Sequence, residues 1–580
     1  MEENKNEEKV EVLDEQEQKV TEEPVKKNNK NSVILIFAVL GAVVFMLLVI
    51  VSVLFIVPLI NGKKPTSVRT GVNAQDVKSV YRMTSNSLGS FDLAFLKLEN
   101  NGKNKVYSPL SIKYALAMLS EGSSGTTKAQ IDAVIGDYKS KKYPNNEHMS
   151  FANAMFIRNT FKDSVNNSYT KALAEKYNAE VKLDEFKNAD TMNKWVSDKT
   201  FNLINNMLDS DNVSKEDFEL INALAIDMNW NNQIQCATGS DVPCHRYSVY
   251  YNHEKYKMDG PYSSSVGYID SEDDYYPLTF NGKENAKSAT IKASFNRYDI
   301  VKELGEKKIR EEVGKAYKEW LESDEGKREV QSGWGEPDVN KYLDKYIGEL
   351  KENYNQEASS TDFMLYTDSD VKVFAKNLKA YDGVTLQYVG IMPTKEDLGA
   401  YVKNVKSEDL DKIINNLKPM KKESFKEGVV TLVRGRIPMF KYDYTLDLME
   451  DLKKVGITDV FDINKADLSG MLKKDTKEYI SSASHKADIE FSNDGIKAAA
   501  ATAMGGAGST YGGFDYLYEI PVEEIDLTFD KPFMYIIRDK DSGEVWFAGT
   551  VYEAQQRSVE FNPNIWELSE NGKKYWDSYQ

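Results

Sequence analysis

The stretch NDGIKAAAATAMGGAGSTYGGFDYLY, residues Asn493 to Tyr518, is the most informative segment of the chain, because it has the composition of a loop that can become a strand. In an extended chain alternate residues share a face, so Ile496 and the even-numbered residues to Met504 form one apolar face of mostly small residues. The alanine run 498–501 can enter a sheet at low cost, since alanine loses no side-chain entropy on burial. Gly495 directly before the run can act as a hinge. The sequence therefore predicts a hinged segment that inserts into a sheet.

The alanine run alone is also typical of a helix, because alanine has the highest helix propensity. Its flanks oppose a helix, since five glycines follow between Gly505 and Gly513 and leave any helix too short to be stable. A phosphate-binding loop at GGAGST is excluded, because the lysine required before the Ser or Thr is absent. The segment is therefore predicted to be an exposed loop.

The segments on both sides of this loop have the pattern of strands. Upstream, SHKADIEFSNDG alternates in polarity, and downstream EIDLTFDKPFMYIIRDKDSGEVWFAGTV contains a hairpin that turns at Asp541, Ser542 and Gly543. The order of strand, hinge, alanine run, loop, DKPF at residues 530–533 and hairpin resembles the serpin family of protease inhibitors. Members of this family insert a loop of this kind into a sheet.

Six further segments match the family's motifs in the family's order, within residues from about Val80 to Val551. They are VYSPLSIKYALAMLSEGSSGTT (Val106–Thr127), the motif Asn193, Trp195, Val196 and Thr200, LINALAIDMNW (Leu220–Trp230), KVGITDVFD (Lys454–Asp462), ADLSGM (Ala466–Met471) and His485. The first resembles the family's buried helix, and the third resembles its central strand with a buried Asn222. The resemblance implies one α+β, serpin-like domain over residues 76–555, with three β-sheets, about eight to nine helices and a mobile reactive loop.

The resemblance is interrupted between about residues 236 and 360, which we interpret as an insertion. Its first half is rich in tyrosines, which fit either a recognition surface or ordinary packing. Its second half has two amphipathic helical patterns, expected to pack on each other or on the body of the domain. One carries Ile309, Val313, Ala316, Tyr317 and Trp320, and the other carries Val339, Tyr342, Leu343, Tyr346 and Leu350. The tail at residues 556–580 passes the family's usual end, and we assign it no role.

The N-terminal part of the chain has a different composition from the rest. Residues 1–30 hold ten Asp or Glu against six Lys and are expected to be disordered. The 28 residues from Val33 to Ile60 carry no charge, and at about 1.5 Å per residue they can cross a hydrocarbon core of about 30 Å. The run is too long for the alternatives, a core helix or a cleaved signal peptide. The sequence therefore predicts a transmembrane helix at 31–60 and a linker at 61–75.

The side of the membrane on which the domain lies is not decided by charge, since basic residues flank both ends of the uncharged run. Cys236 and Cys244 are the only cysteines, and they are close enough in sequence for one disulfide, with two free thiols as the alternative. A disulfide would place the large C-terminal part outside the cytoplasm. We therefore expect a single-pass protein of the cell membrane with an extracellular serpin-like domain.

The composition leaves few options for catalysis. The chain has four His among 580 residues, no zinc-protease motif and no Gly-x-Ser-x-Gly elbow. A net charge of −17 and a pI of about 5.1 oppose a nucleic-acid-binding surface. No metal or cofactor site is indicated, so the sequence predicts neither an enzyme nor a nucleic-acid-binding protein.

The resemblance implies a suicide-substrate inhibitor of serine endopeptidases. In this mechanism a protease cuts the loop through an acyl-enzyme, and the freed hinge then enters the main sheet as a new strand and distorts the protease. The hinge residues are Gly495, Ile496, Lys497, Ala498, Ala499, Ala500, Ala501 and Thr502. The residues that match the family's strand-opening region are Ser108, Ser111, Asn222 and His485. A structural role is favoured over a catalytic one for His485.

Two ways of counting place the reactive bond differently. Counting from Gly495 by the family's usual loop length gives Ser509–Thr510, which favours an elastase-like or subtilisin-like target. The loop is longer than usual before Lys531. Counting backwards from Lys531 by the family's usual length therefore gives a later bond and favours a chymotrypsin-like target. The residues at that later bond would be Tyr511, Phe514, Leu517 or Tyr518. A cysteine protease is a further possible target, because the same trap can hold a thioester.

Three positions near the hinge depart from the family's pattern. Asn493 and Lys497 stand where inhibitory members usually carry acids, and Ile496 replaces a smaller Thr or Ser. These departures, with the insertion and the long loop, motivate an alternative: a non-inhibitory serpin that acts as a cell-surface binding module. In both cases we expect a monomer.

Overall fold

The computed structural model describes residues 80–232, 234, 257–258, 278–355, 362–474, 476–492, 495–496, 514, 516 and 518–556. Several predictions concern residues outside this set, so they stay predictions. They are the segments 1–30, 31–60 and 61–75, the cysteines Cys236 and Cys244, the hinge residues 497–502, the bond Ser509–Thr510 and the tail beyond Gln556. Among the described residues, no helix combines the length and the apolar composition that a membrane span needs.

The described residues form 21 β-strands. They are β1 Lys105–Tyr107, β2 Met149–Arg158, β3 Ala179–Asp184, β4 Phe218–Ile226, β5 Met228–Asn229, β6 Lys257–Met258, β7 Leu278–Phe280, β8 Lys283–Ala286, β9 Ser288–Asn296, β10 Phe363–Thr367, β11 Val371–Asn377, β12 Leu386–Pro393, β13 Lys418–Pro419, β14 Val430–Pro438, β15 Phe440–Asp447, β16 Ser484–Phe491, β17 Gly495–Ile496, β18 Tyr518–Glu519, β19 Val522–Asp526, β20 Phe533–Asp539 and β21 Val545–Val551.

The same residues form 13 α-helices. They are α1 Ala94–Leu98, α2 Pro109–Gly122, α3 Gly125–Ile135, α4 Asn167–Tyr177, α5 Asp190–Lys199, α6 Ser210–Val213, α7 Ile300–Leu304, α8 Glu306–Glu322, α9 Asp324–Ser332, α10 Val339–Asn355, α11 Leu398–Asn404, α12 Ser407–Asn415 and α13 Leu448–Val455. The mixture of helices with mainly antiparallel sheets confirms the α+β class.

The described strands form six sheets. Their orders are β1-β21-β20-β12-β11-β10-β13, β19-β14-β9, β15-β16-β17-β5, β3-β2-β4, β18-β6 and β7-β8. We expected three sheets. The count is higher because the expected central strand β4 is not paired with β16, and because two short strand pairs are separate from the larger sheets.

The number of helices is also higher than the eight or nine expected. Four of the 13 helices, α7 to α10, lie in the stretch from Ile300 to Asn355, which we call the helical segment. The predicted packing of its two amphipathic helices is confirmed, since Ile309 and Val313 of α8 are buried in one cluster with Leu343 of α10. The other nine helices lie in the rest of the described chain.

Helix α2 is the buried helix that the sequence predicted, and it packs against β4 and β21. Ser108 is its N-cap, and its hydroxyl oxygen accepts a hydrogen bond from the backbone N–H of Ser111 at 3.0 Å. Pro109 is the first helical residue, a position where a missing N–H costs nothing. The predicted hairpin of β20 and β21 is present, and its Gly543 has a φ of +79°, which favours glycine.

Candidate strand-insertion site

The candidate site is a gap between β4 and β16. In the described part of the chain β4 pairs only with β2, and β16 pairs only with β15 and, at its end, with β17. A cavity of about 130 Å³ lies between the β4 residues 218–222 and the residues 479–483 that lead into β16. A second cavity of about 20 Å³ lies between residues 224–226 and 488–490. Two unpaired strand edges that face a cavity can accept another strand.

The first two residues of the hinge already occupy one end of this gap. Ile496 pairs antiparallel with Phe491 of β16 and with Met228 of β5, and it is only 2% exposed. A Cβ on Gly495 would lie 2.3 Å from the carbonyl oxygen of Met228, so the close approach of the two strands requires glycine. The indole N–H of Trp230, directly after β5, donates to the carbonyl oxygen of Ser492, directly after β16, at 2.9 Å. The sheet therefore has room for the larger Ile496 side chain.

The N-terminal turn of α2 is hydrogen-bonded to both strands that flank the gap. The backbone N–H of Ser108 donates to Nε2 of His485 on β16 at 2.9 Å. The hydroxyl of Ser111 donates to Oδ1 of Asn222 on β4. The four residues assigned to the strand-opening region are thus brought together, and they join β4 and β16 through α2.

Sequence analysis missed one member of this network, Asn153 of β2. Its Oδ1 accepts a hydrogen bond from Nδ2 of Asn222 at 2.5 Å, and its own Nδ2 donates to the carbonyl oxygen of Tyr177 at 2.9 Å. The Asn153 side chain is buried, so its amide oxygen and its amide nitrogen each need a hydrogen-bond partner within the protein. The signal in the sequence is one amide residue within the mostly apolar strand SFANAMFI.

His485 is held in its neutral form. Burial lowers the pKa of its imidazole to about 4. Since Nε2 accepts the N–H of Ser108, the ring proton is on Nδ1. Glu219 of β4 lines the larger cavity nearby, and burial, followed by repulsion from Glu216, raises the pKa of its carboxyl to about 8. His485 and Glu219 are therefore both largely neutral near neutral pH, which suits the entry of an apolar strand beside them.

The C-terminal end of the loop lies in different sheets from the hinge. Tyr518 of β18 pairs with Met258 of β6, and β19 then runs parallel to β14. Of the residues considered for a later reactive bond, Tyr518 is 3% exposed and Phe514 is half-buried. Tyr511 and Leu517 lie outside the described residues.

Residues 86–241 and 353–554 match the family model described as "Serpin (serine protease inhibitor)". The two matched segments together cover more than half of the chain. Most of the predicted insertion lies between them, including all of α7 to α9.

Several known proteins are similar to this chain. It is 24% identical to neuroserpin of Mus musculus over 477 residues, which are 77% of this chain and 86% of the relative. It is 32% identical to the leukocyte elastase inhibitor of Homo sapiens over 172 residues, 29% of this chain and 41% of that protein. The structure of human thyroxine-binding globulin superimposes with a TM-score of 0.50 at 17% identity, over 80% of this chain and 97% of that one, which is a likeness of fold alone. The chain belongs to the serpin family.

Proposed function

We propose that this protein is a suicide-substrate inhibitor of serine endopeptidases, which traps the acyl-enzyme by inserting its cleaved reactive loop into the gap between β4 and β16. The observation that carries the proposal is β17, which lies between β16 and β5 while the rest of the gap is open. Serpins are in general protease inhibitors, so we assign no enzymatic activity.

The register of β17 predicts how the rest of the hinge enters the gap. β17 is antiparallel to both of its neighbours. If the register continues without a bulge, Thr502 lies opposite His485 on β16 and Asn222 on β4. The alanine run 498–501 then lies between residues 223–226 and 486–489, where small side chains fit a narrow space. The inserted hinge would thus meet both strands of the strand-opening region.

The same register gives Lys497 two acidic neighbours. It lies opposite Glu490 on one side and Asp227 on the other, and opposed residues of paired strands share a face of the sheet. Both acids are half-buried, and Glu490 already pairs with Lys441 at 2.9 Å. A lysine at this hinge position is therefore compatible with insertion, which supports the inhibitory function over the binding-module alternative.

We propose Ser509–Thr510 as the reactive bond. A protease must hold the side chain before the bond in a pocket of its own. Burial of Tyr518 and the packing of Phe514 oppose the two bonds that follow these residues. A small residue such as Ser509 fits an elastase-like or subtilisin-like pocket, and a bond after Tyr511 would fit a chymotrypsin-like one. A cysteine protease stays an alternative target.

We also propose that the run from Val33 to Ile60 anchors the protein in the cell membrane, with the serpin domain outside the cytoplasm. The support is the length of the uncharged run and the disulfide that Cys236 and Cys244 can form. Thiol alkylation with and without reduction, followed by mass spectrometry, tests the disulfide. Protection of the domain from a protease added to intact cells would contradict the orientation.

The inhibitory function is tested by mixing the full chain with an elastase, a subtilisin, a chymotrypsin and a papain-like protease. We expect a covalent complex with at least one serine protease that survives denaturing electrophoresis. Mass spectrometry of the released C-terminal fragment then identifies the reactive bond. Clean cleavage by all four enzymes without a complex would favour the non-inhibitory binding module.

A further inference from the structure

The helical segment contacts the C-terminal part of the reactive loop through aromatic rings. The ring of Phe514 packs edge-on against Tyr317 of α8 at a centroid distance of 5.0 Å and against Tyr342 of α10 at 5.9 Å. Trp320 of α8 lies 5.7 Å from the same ring. Tyr317 and Tyr342 stack on each other at 3.6 Å. We call these three residues of α8 and α10 the aromatic socket.

The contact continues along one side of the loop. The hydroxyl of Tyr516 lies 3.4 Å from Oε2 of Glu312 on α8 and donates a hydrogen bond to it. Tyr518 and Ile520 are 3% and 8% exposed and belong to the same buried cluster as α8 and α10. The four contacting residues alternate along the chain, as expected for an extended segment with one face on the helices.

These contacts limit the slack of the uncut loop. The 17 residues 497–513 connect β17 to Phe514. Insertion as far as Met504 uses eight of them, which reach about 26 Å along the gap at about 3.3 Å per residue. The nine residues that remain can span at most about 32 Å on the way back to Phe514, so a fixed Phe514 limits how far an uncut loop can enter the gap. Release of residues 514–521 would add about 26 Å of slack.

We propose that the helical segment anchors residues 514–520 and thereby keeps the uncut loop out of the gap between β4 and β16. This inference rests on the proposed strand insertion. Cleavage before Phe514 removes the restraint, because the hinge is then no longer connected to the anchored residues. The helical segment and the long C-terminal side of the loop thus act together to make insertion depend on cleavage.

The test uses variants of the full chain that weaken the anchor. Phe514→Ala removes the ring that fills the aromatic socket, Tyr342→Ala removes one wall of the socket, and Tyr516→Phe removes only the hydrogen bond to Glu312. Trp334→Ala is the matched control, because Trp334 lies beyond α9 and is 61% exposed. Each uncut protein is incubated at physiological temperature. Samples taken over time are heated to the melting temperature of the fresh parent, and the fraction that stays folded is measured. The intact mass shows that the chain has not been cut.

We expect Phe514→Ala and Tyr342→Ala each to convert to a heat-resistant uncut form at least about tenfold faster than the parent. Because the two rings contact each other, the double variant Phe514→Ala/Tyr342→Ala should convert no faster than the two single effects on the activation free energy, added together, predict. Tyr516→Phe should also convert faster than the parent, but by a smaller factor than the alanine variants. If a freshly prepared alanine variant does not fold, Tyr516→Phe decides the test. The control should convert at the parent's rate.

Two outcomes would overturn the inference and are distinguishable. If the anchor variants convert at the parent's rate while cleavage of the parent gives a heat-resistant form, strand insertion holds and the anchor does not. If cleavage of the parent gives no heat-resistant form, the proposed function fails, and the anchor fails with it.

Discussion

At the scale of single residues, His485 makes the stability of the fold depend on pH. Burial holds the pKa of the folded imidazole at about 4, against 6.5 for an exposed one. As pH falls, the unfolded chain therefore takes up this proton first. The contribution of His485 is fully present above pH 6.5 and is lost, by up to about 3 kcal/mol, as pH falls towards 4.

The variant His485→Gln lacks this proton and can still accept the N–H of Ser108. We expect the melting temperature of the parent to fall more between pH 6.5 and pH 4 than that of the variant, as measured by circular dichroism. Equal falls for the two proteins would show that the imidazole is not held neutral.

Lys497 gives a second prediction at this scale. In Lys497→Glu the new carboxylate would face Glu490 and Asp227 on insertion, so like charges oppose the new strand. We expect a several-fold larger fraction of the Lys497→Glu variant than of the parent to be cut without trapping the protease. The measurement is the molar ratio of inhibitor to protease that gives full inhibition. Lys497→Ala serves as the control and should lie between the variant and the parent. A parent-like ratio for Lys497→Glu would contradict the register.

At the scale of elements, the N-terminal turn of α2 is hydrogen-bonded to both strands that flank the gap. Asn222→Ala leaves the buried Ser111 and Asn153 with fewer partners, and we expect a loss of about 1–3 kcal/mol in the free energy of unfolding. Ser111→Ala and the double variant complete a cycle, measured by denaturant unfolding. Because the two side chains share one hydrogen bond, the losses should not add. Additive losses would mean that the two residues act independently.

Some elements could be predicted from the sequence and others could not. The alternation of the hinge predicts the burial of Ile496, which the structure shows, and the 3.6-residue pattern predicts the inner faces of α8 and α10. Periodicity identifies a face but not what covers it. The contact of α10 with Phe514 and the missing pair between β4 and β16 depend on residues far apart in sequence, so neither could be predicted.

At the scale of the whole molecule, the fold keeps one strand position open and has the start of that strand in place. Most strands of the largest sheet are buried and paired, so under the proposed mechanism we expect the change on cleavage to be confined to the two sheets that flank the gap. Filling the gap pairs both unpaired strand edges and removes a cavity. The uncut form should therefore be the less stable one, and the barrier to insertion keeps it in that form.

The most direct test of this claim is the melting temperature of the full chain before and after a single cut between Gly505 and Phe514, with mass spectrometry of the cut site. Strand insertion predicts a rise of more than about 10 °C, because the new strand adds hydrogen bonds along two edges. An unchanged melting temperature in the cut protein would mean that the hinge does not insert, and it would contradict the trapping mechanism.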